Sequence, residues 1–471
     1  MRQRFLEAMD WVAARPLRVG LVLAGLVLLA TWFIQLVLLG LIVPQWSDGH
    51  GLVPGQDVVG FNRVGMEQAA LIRESGWGAW ELRPSGWGVS GLLSAWYALT
   101  WPAPWAFAPV QALMYGLGGA LVFSLVKHLT GRPRWALLAV VPMLLPTAAF
   151  LYAQPHRDLF VFFGLALAIY GWWLLARLVA EPLGRRWAYG LLGGAALVFA
   201  GYVVAWAVRA MTAEIFQGLA VLMSGLLLVL AVSALWRRRL AALPSLAAPG
   251  VAVGVLVAMM AFHSHAHWDG QLAKAEPEPD EPTEEVEPEP AWRPAAWLPS
   301  AADDRLRRLA GARDFFADGY GRGRTAVDVD RRYRSVEDML LYTPRAMQIG
   351  LMSPFPYQWL PHEEAPSVRN VYRVAAGAEM AVLYAILPFL LYAIWVWRGR
   401  PELWVMLIPA LSWVMVYAYT VPVVGALVRY RYGAYVIILA VAMAGLVRAV
   451  SDFRNRRGVN QGPTADGSKP S

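Results

Sequence analysis

The chain has 471 residues, of which 58% are hydrophobic, and its mean hydropathy is +0.44. A soluble protein of this length would expose too much apolar surface, so the composition indicates a membrane protein with several spans. The formal net charge is +8, but the arginines lie in short breaks between apolar runs, which argues against nucleic acid as a partner. The lack of cysteine excludes disulfides, thiolate metal sites and cysteine nucleophiles.

Apolar runs of the length that crosses a bilayer, roughly 20 residues, recur along the chain. We expect about ten transmembrane helices, at residues 19–43, 104–126, 135–153, 159–176, 187–208, 214–235, 247–263, 379–397, 402–421 and 432–449. The first run has no cleavage site of small residues and is therefore predicted to be a signal anchor.

Alternate breaks between these runs are basic. They carry Arg2, Arg4, Arg15, Arg18, Lys127, Arg132, Arg134, Arg185, Arg186, Arg237, Arg238, Arg239, Arg398, Arg400, Arg454, Arg456 and Arg457. All of them fall on one side if both termini are cytoplasmic, as the positive-inside rule requires. The sequence thus predicts an all-α polytopic membrane protein with both its N- and C-termini inside.

This topology divides the chain into four parts. Residues 1–263 form an N-terminal transmembrane module with a first outer loop at 44–103. Residues 264–378 form an outer segment, in which a Pro/Glu-rich linker at 276–290 precedes a small cap at about 300–362. The cap is expected to begin with a helix and to contain a further helix near 335–350. Residues 379–450 form a C-terminal transmembrane module, and residues 451–471 form a disordered cytoplasmic tail.

Two acidic residues stand out in the outer loops. Asp57 lies in GQDVVGF, shortly after the first span, where it could serve a reaction or simply begin a helix that continues through 63–74. Asp158 ends QPHRD, a very short loop, and can cap the helix that follows. A cap does not explain why His156 and Arg157 stand beside it, because ionisable groups at a membrane boundary are costly and often functional.

Other candidate residues follow later in the chain. Arg429 and Arg431, in ALVRYRYGAY, lie on the outer side, where they could bind phosphate at headgroup level or snorkel to lipid. Arg209 is a candidate of the same kind. His263 and His267 have the i, i+4 spacing of metal ligands, but a loose interfacial cluster explains them as well.

The order of these features resembles the GT-C superfamily of membrane glycosyltransferases, which includes protein O-mannosyltransferases and the lipid A aminoarabinose transferase. The resemblance rests on an acid in the first outer loop, a second acid in a short outer loop, a cap, and late outer arginines. It implies transfer of a sugar from a polyprenyl phosphate or diphosphate to a glycan, lipid or protein, at the periplasmic face of a bacterial inner membrane. The segment LLYTPRAMQIGLMSPFPYQW also resembles bacterial membrane proteins of polysaccharide loci.

By this resemblance, Asp57 matches the general base or metal-associated acid, and Asp158 the second acid. His156, Arg157, Arg209, Arg429 and Arg431 would bind substrate or phosphate, and a divalent cation, Mg²⁺ or Mn²⁺, could bind Asp57 and Asp158. Many members carry two adjacent acids in the first loop, whereas Gln56 and Val58 flank Asp57.

Two alternatives stay open at this point. One is a non-catalytic GT-C-like protein of a polysaccharide assembly system. The other is an O-antigen ligase or polymerase of different fold, in which His156 and Arg157 would lead. A transporter fits less well, because the predicted spans carry few ionisable groups at mid-membrane depth.

Overall fold

A computed structural model describes residues 2–54, 56–179, 181, 184–236, 242–265, 292–320, 325–360 and 368–460. These residues form helices joined by turns, with an isolated antiparallel bridge between Ala326 and Val423. The helices are α1 (Arg2–Ala13), α2 (Pro16–Trp32), α3 (Asp57–Ser75), α4 (Gly88–Leu99), α5 (Pro104–Thr130), α6 (Pro133–Ala139), α7 (Pro146–Tyr152), α8 (Arg157–Leu178), α9 (Arg185–Val208), α10 (Thr212–Trp236), α11 (Ala242–His265), α12 (Ser300–Tyr320), α13 (Val336–Met352), α14 (Val368–Ile386), α15 (Pro388–Trp397), α16 (Pro401–Thr420) and α17 (Val424–Asn460).

The prediction of an all-helical polytopic membrane protein is confirmed. Within the described ranges, nine helices are long and apolar enough to cross a membrane. They are built on α2, α5, α8, α9, α10, α11, α14 with α15, α16 and α17, and α2 is extended by a π-helix over Phe33–Ile42. The helices α5, α8, α16 and α17 are the most buried of these and form the centre of the molecule.

The predicted run at 135–153 is not one continuous helix. It consists of α6, a short 3-10 turn at Val141–Leu144, and α7. Pro142 lies in the 3-10 turn, and Pro146 begins α7. Proline lacks an N–H donor and clashes with the preceding turn, so each of these residues interrupts the helical ladder.

Neighbouring side chains satisfy the backbone groups that these breaks release. The hydroxyl of Tyr115 donates to the carbonyl of Met143 at 2.7 Å, and the carboxylate of Glu379 accepts from the amide of Thr147 at 2.9 Å. Irregular backbone at membrane depth is tolerated where protein groups replace water in this way. The broken segment is therefore held by α5 and α14.

The segment at 44–103, which is predicted to be the first outer loop, contains a pair of packed helices, α3 and α4. Ser90 Oγ donates to the carbonyl of Phe61 at 3.0 Å, and the hydroxyl of Tyr97 donates to Asn62 Oδ1 at 2.8 Å. The start of α4 presses on the end of α9, and a Cβ atom on Gly88 would lie only 1.7 Å from the carbonyl oxygen of Ala207. Only glycine permits this approach, which fixes the loop to the end of α9.

The cap consists of α12 and α13, where the sequence predicts helices. The Val327 amide donates to the carbonyl of Pro422 at 2.8 Å, and the Val424 amide donates to that of Thr325 at 3.1 Å. Arg313 is fully buried and donates to the carbonyls of Asp328 and Tyr419, at 2.6 and 3.1 Å. The cap is thus bound to the turn that precedes α17.

The end of the last helix differs from the predicted boundary. The last helix continues past the predicted boundary at residue 450 and ends at Asn460. The Pro/Glu-rich linker at 276–290 and the remainder of the tail lie outside the described residues.

Candidate functional site

Asp57 lies in the first turn of α3, between two arginines from distant parts of the chain. Its Oδ2 atom is 3.4 Å from Nη1 of Arg429 and 4.0 Å from Nη2 of Arg157. The Asp57 side chain is 47% exposed, whereas each arginine side chain is 24% exposed. The carboxylate therefore keeps an accessible face while both guanidinium groups lie beside it.

Asp158 has a different environment, although it also lies in the first turn of a helix. Its Oδ1 atom accepts a hydrogen bond of 2.9 Å from Nη1 of Arg209, and both side chains are 4% exposed. The guanidinium of Arg209 also stacks on the ring of Tyr430, 3.9 Å from its centroid. Burial opposes the charge of Arg209, but the ion pair outweighs it and raises the pKa of the guanidinium.

This buried ion pair separates the two predicted acids by environment. Asp57 is accessible, while Asp158 is closed off by its partner and by the surrounding rings. A buried charge pair of this kind holds α8 against the end of α9 and costs much free energy if one partner is removed.

His156 connects the QPHRD turn to the first outer loop. Its Nε2 atom forms a hydrogen bond of 3.2 Å with Oε1 of Gln56, the residue before Asp57. His156 is buried, and burial together with the nearby Arg429 lowers the pKa of the imidazole to about 4. The imidazole is consequently neutral at pH 7 and can act as either donor or acceptor.

Two glutamines in apolar helices, which the sequence does not single out, donate to backbone carbonyls at the start of the QPHRD turn and just before it. Gln111 Nε2 donates to the carbonyl of Gln154 at 2.6 Å, and Gln35 Nε2 donates to that of Ala153 at 2.7 Å. The side chain of Gln154 in turn accepts from the amide of Val53 at 3.1 Å. A polar amide inside each apolar run was the available signal, because such groups need buried partners.

Arg431 is not part of the group around Asp57. It is buried, and its Nη1 atom donates to the carbonyl of Ile349 at 3.1 Å and to Ser353 Oγ at 3.2 Å. It also donates to the carbonyls of Gly350 and Ser353. Because Arg429 and Arg431 both lie on α17, two residues apart, they point to opposite sides of the helix. Arg431 binds the end of α13.

The structure does not bring the residues predicted to bind a metal into one described group. His263 lies near the end of α11, and His267 lies outside the described residues. In the part of the chain that can be described, no group of three or more His, Cys, Asp or Glu side chains is arranged to hold a metal ion. Asp57 and Asp158 each lie against arginine, and this set of charges suits an anion better than a divalent cation.

Two cavities meet at Asp57, and Gln56, Asp57 and Arg429 line both of them. We call the first the aromatic cavity, of about 680 Å³, lined also by Phe61, Trp87, Arg157, Phe316, Tyr320 and Tyr430. We call the second the α14 cavity, of about 400 Å³, lined also by His156, Gln358, Tyr372, Arg373 and apolar residues of α14 and α17.

The two cavities differ in character. The aromatic cavity lies between the first outer loop and the cap helix α12, and five aromatic side chains line it. The α14 cavity has a larger apolar share of its wall, together with several polar and charged side chains. Clefts of several hundred Å³ with convergent polar groups are the usual form of ligand sites.

The fold and this site define a polytopic helical membrane protein with a charged, two-sided cleft at one end of its helix bundle. Comparisons with protein families, with characterised proteins and with solved structures found no match.

Proposed function

We propose that the protein is a membrane glycosyltransferase of the GT-C type, which transfers a sugar from a polyprenyl-phosphate carrier to an acceptor hydroxyl. The observation that carries this proposal is the position of Asp57, an accessible carboxylate at the boundary of two cavities and between two arginines. Transfer between two substrates needs such a meeting point, with a base and positive charge within reach of each other.

In the proposed reaction, the acceptor hydroxyl attacks the anomeric carbon of the donor sugar. Asp57 accepts the hydroxyl proton, a new glycosidic C–O bond forms, and the bond between the anomeric carbon and the phosphate oxygen breaks. The phosphate leaves with the electron pair, and Arg429 stabilises its negative charge. Arg157 holds the carboxylate in place on the other side. No covalent enzyme intermediate is required when the configuration at carbon inverts.

The two cavities suit the two substrates of this reaction. The apolar α14 cavity suits the lipid-linked donor, and the aromatic cavity suits an acceptor that carries sugar rings, because ring faces attract the C–H groups of a sugar. Under this proposal Asp158 and Arg209 are positioning residues, since their buried pair aligns α8 and the QPHRD turn with the site.

The proposed topology has both termini in the cytoplasm and about ten crossings, including the broken α6–α7 segment. The basic residues in alternate breaks between the apolar runs support this topology. The first outer loop, the QPHRD turn and the cap then share the outer face, which is periplasmic if the protein resides in a bacterial inner membrane.

A second candidate is a ligase-like or polymerase-like transferase in which His156 is the base. The supporting observation is that His156 lines the α14 cavity together with Asp57 and Arg429. In that case Asp57 would orient the arginines.

The test is a set of single variants assayed in cells for turnover of lipid-linked sugar or for surface glycan. We expect Asp57→Asn to reduce turnover by about 10²-fold or more, the usual contribution of a general base. Glu67→Gln is the matched control, because Glu67 lies on the same helix with a side chain that is 66% exposed. Full activity of Asp57→Asn at normal protein levels contradicts the proposal, and an inactive His156→Gln beside an active Asp57→Asn favours the second candidate.

A further inference from the structure

Two residues that line the α14 cavity each carry a buried hydrogen-bond donor without an acceptor. Among the described residues, none accepts a hydrogen bond from Nη1 of Arg373 or from Nε2 of Gln358, although both atoms are buried. Both residues line the cavity, and Gln358 is only 6% exposed overall. A buried donor without a partner costs free energy, and the cost is larger when the group is charged.

The neighbourhood explains why these donors point to an anion. Gln358 is fixed by its other amide atom, because Oε1 accepts a hydrogen bond of 2.9 Å from the amide of Phe355. Its Nε2 group is thereby directed away from that bond. Arg429 brings a second guanidinium to the same cavity, and Asp57 supplies the carboxylate nearest to it, at 3.4 Å. Arg373 therefore adds a positive charge that Asp57 does not balance.

Most of the remaining wall of the α14 cavity is apolar, although Gln56, Asp57, His156, Thr325 and Tyr372 also line it. Its apolar residues include Leu151, Val368, Ala376, Val424 and Val428. A ligand that satisfies both parts of the wall needs an anionic head and a hydrocarbon chain. The guanidinium fork of arginine matches the geometry of phosphate oxygens in particular.

We propose that Arg373 and Gln358 form the binding site for the phosphate group of an apolar-chain phosphate ester in the α14 cavity. This proposal rests on the proposed function and deepens it by naming the residues that would hold the carrier. Neither residue lines the aromatic cavity, so both would bind the donor and not the acceptor. Arg429, at the boundary with Asp57, then contacts the same phosphate as it leaves.

Binding can be measured without any turnover. The full-length protein in nanodiscs of neutral lipid is titrated with farnesyl phosphate, with farnesol and with inorganic phosphate. We expect farnesyl phosphate to bind more tightly than farnesol, and Arg373→Gln to weaken that binding by about tenfold or more, the effect of losing a charge-assisted hydrogen bond. Arg63→Gln is the matched control, since the Arg63 side chain on α3 is 75% exposed.

A second variant keeps the test decisive if Arg373→Gln folds poorly. Gln358→Glu retains the acceptor for the amide of Phe355, removes the Nε2 donor and places a carboxylate in the cavity. We expect this variant to abolish farnesyl phosphate binding and to keep the thermal unfolding temperature of the unmodified protein, because the acceptor for the amide of Phe355 remains.

The possible results separate the sources of the phosphate and the two proposals. Inorganic phosphate that binds as tightly as farnesyl phosphate, with the same loss in Arg373→Gln, overturns the lipid part of the proposal. Equal binding of farnesol and farnesyl phosphate, or unchanged binding in both variants, overturns the site. Binding should persist in Asp57→Asn, so retained binding beside retained turnover in that variant contradicts the proposed function alone.

Discussion

The buried ion pair between Asp158 and Arg209 leads to a prediction that separates stability from catalysis. Replacing Asp158 with Asn leaves the guanidinium of Arg209 without a counter-charge at a site where both side chains are 4% exposed. Breaking a buried pair by removing one partner typically costs about 3–5 kcal/mol. Asp57 is 47% exposed, and its arginines lie 3.4 and 4.0 Å away, so Asp57→Asn should cost at most about 1 kcal/mol.

The assay is unfolding of the purified variants in mixed micelles, followed by tryptophan fluorescence, together with turnover in cells. We expect Asp158→Asn to unfold early and to accumulate poorly, whereas Asp57→Asn should be as stable as the unmodified protein and inactive. The double variant Asp158→Leu with Arg209→Met should lose less stability than the two single changes together, because it removes both charges.

One result would refute this reasoning. If Asp158→Asn has an unchanged free energy of unfolding and lost activity, Asp158 acts on a substrate and not through Arg209. A double variant that is no more stable than the additive sum of the single variants would also contradict the reasoning, because it would show that the two charges do not interact.

Three other regions give further predictions. The folded-state pKa of His156 is lowered to about 4 from 6.5, so the unfolded chain takes up the proton first as the pH falls. We expect the free energy of unfolding to be highest above pH 6.5 and to decrease by about 3 kcal/mol as the pH falls to 4. Unfolding measured at each pH should show no such decrease in His156→Gln. Arg431→Met removes the donors to the end of α13 and should lower the free energy of unfolding by about 1.5–3 kcal/mol, which faster proteolysis between α13 and α14 would reveal. Arg431→Lys should show the same loss, because an ammonium group lacks the planar fork of the guanidinium. Gln35→Leu and Gln111→Leu should each cost about 1–3 kcal/mol, because the carbonyls of Ala153 and Gln154 lose their donors, and should lower turnover in proportion to the folded protein that remains.

Much of the helical framework could be predicted from the sequence, since long apolar runs have few alternatives in a bilayer. The run at 135–153 was the exception. Its composition is apolar throughout, and prolines are compatible with membrane helices when neighbours satisfy the backbone. Whether Tyr115 and Glu379 would lie close enough to do so depends on packing, which composition does not reveal.

The site was predictable in its residue types but not in its pairings. Asp57 and Arg429 were both selected from their outer positions, and the structure brings them together. Asp158 could have paired with Arg157, its neighbour in sequence, yet Arg209 is its partner because the start of α8 packs on the end of α9. Arg429 and Arg431 looked equivalent because the last helix was expected to begin at 432, and a start at Val424 places them on opposite sides.

The broken segment formed by α6 and α7 also has a consequence for how the chain is inserted into the membrane. A continuous apolar helix can enter the bilayer on its own, but a segment interrupted at Pro142 and Pro146 would carry exposed carbonyls into hydrocarbon. Tyr115, the partner of Met143, belongs to a helix that is synthesised earlier, and so do Gln35 and Gln111, which bind the carbonyls of Ala153 and Gln154 just after α7. Glu379, the partner of Thr147, is synthesised much later. The order of the chain thus supplies donors for the released carbonyls at the moment of insertion, whereas the amide of Thr147 obtains its acceptor only when α14 arrives.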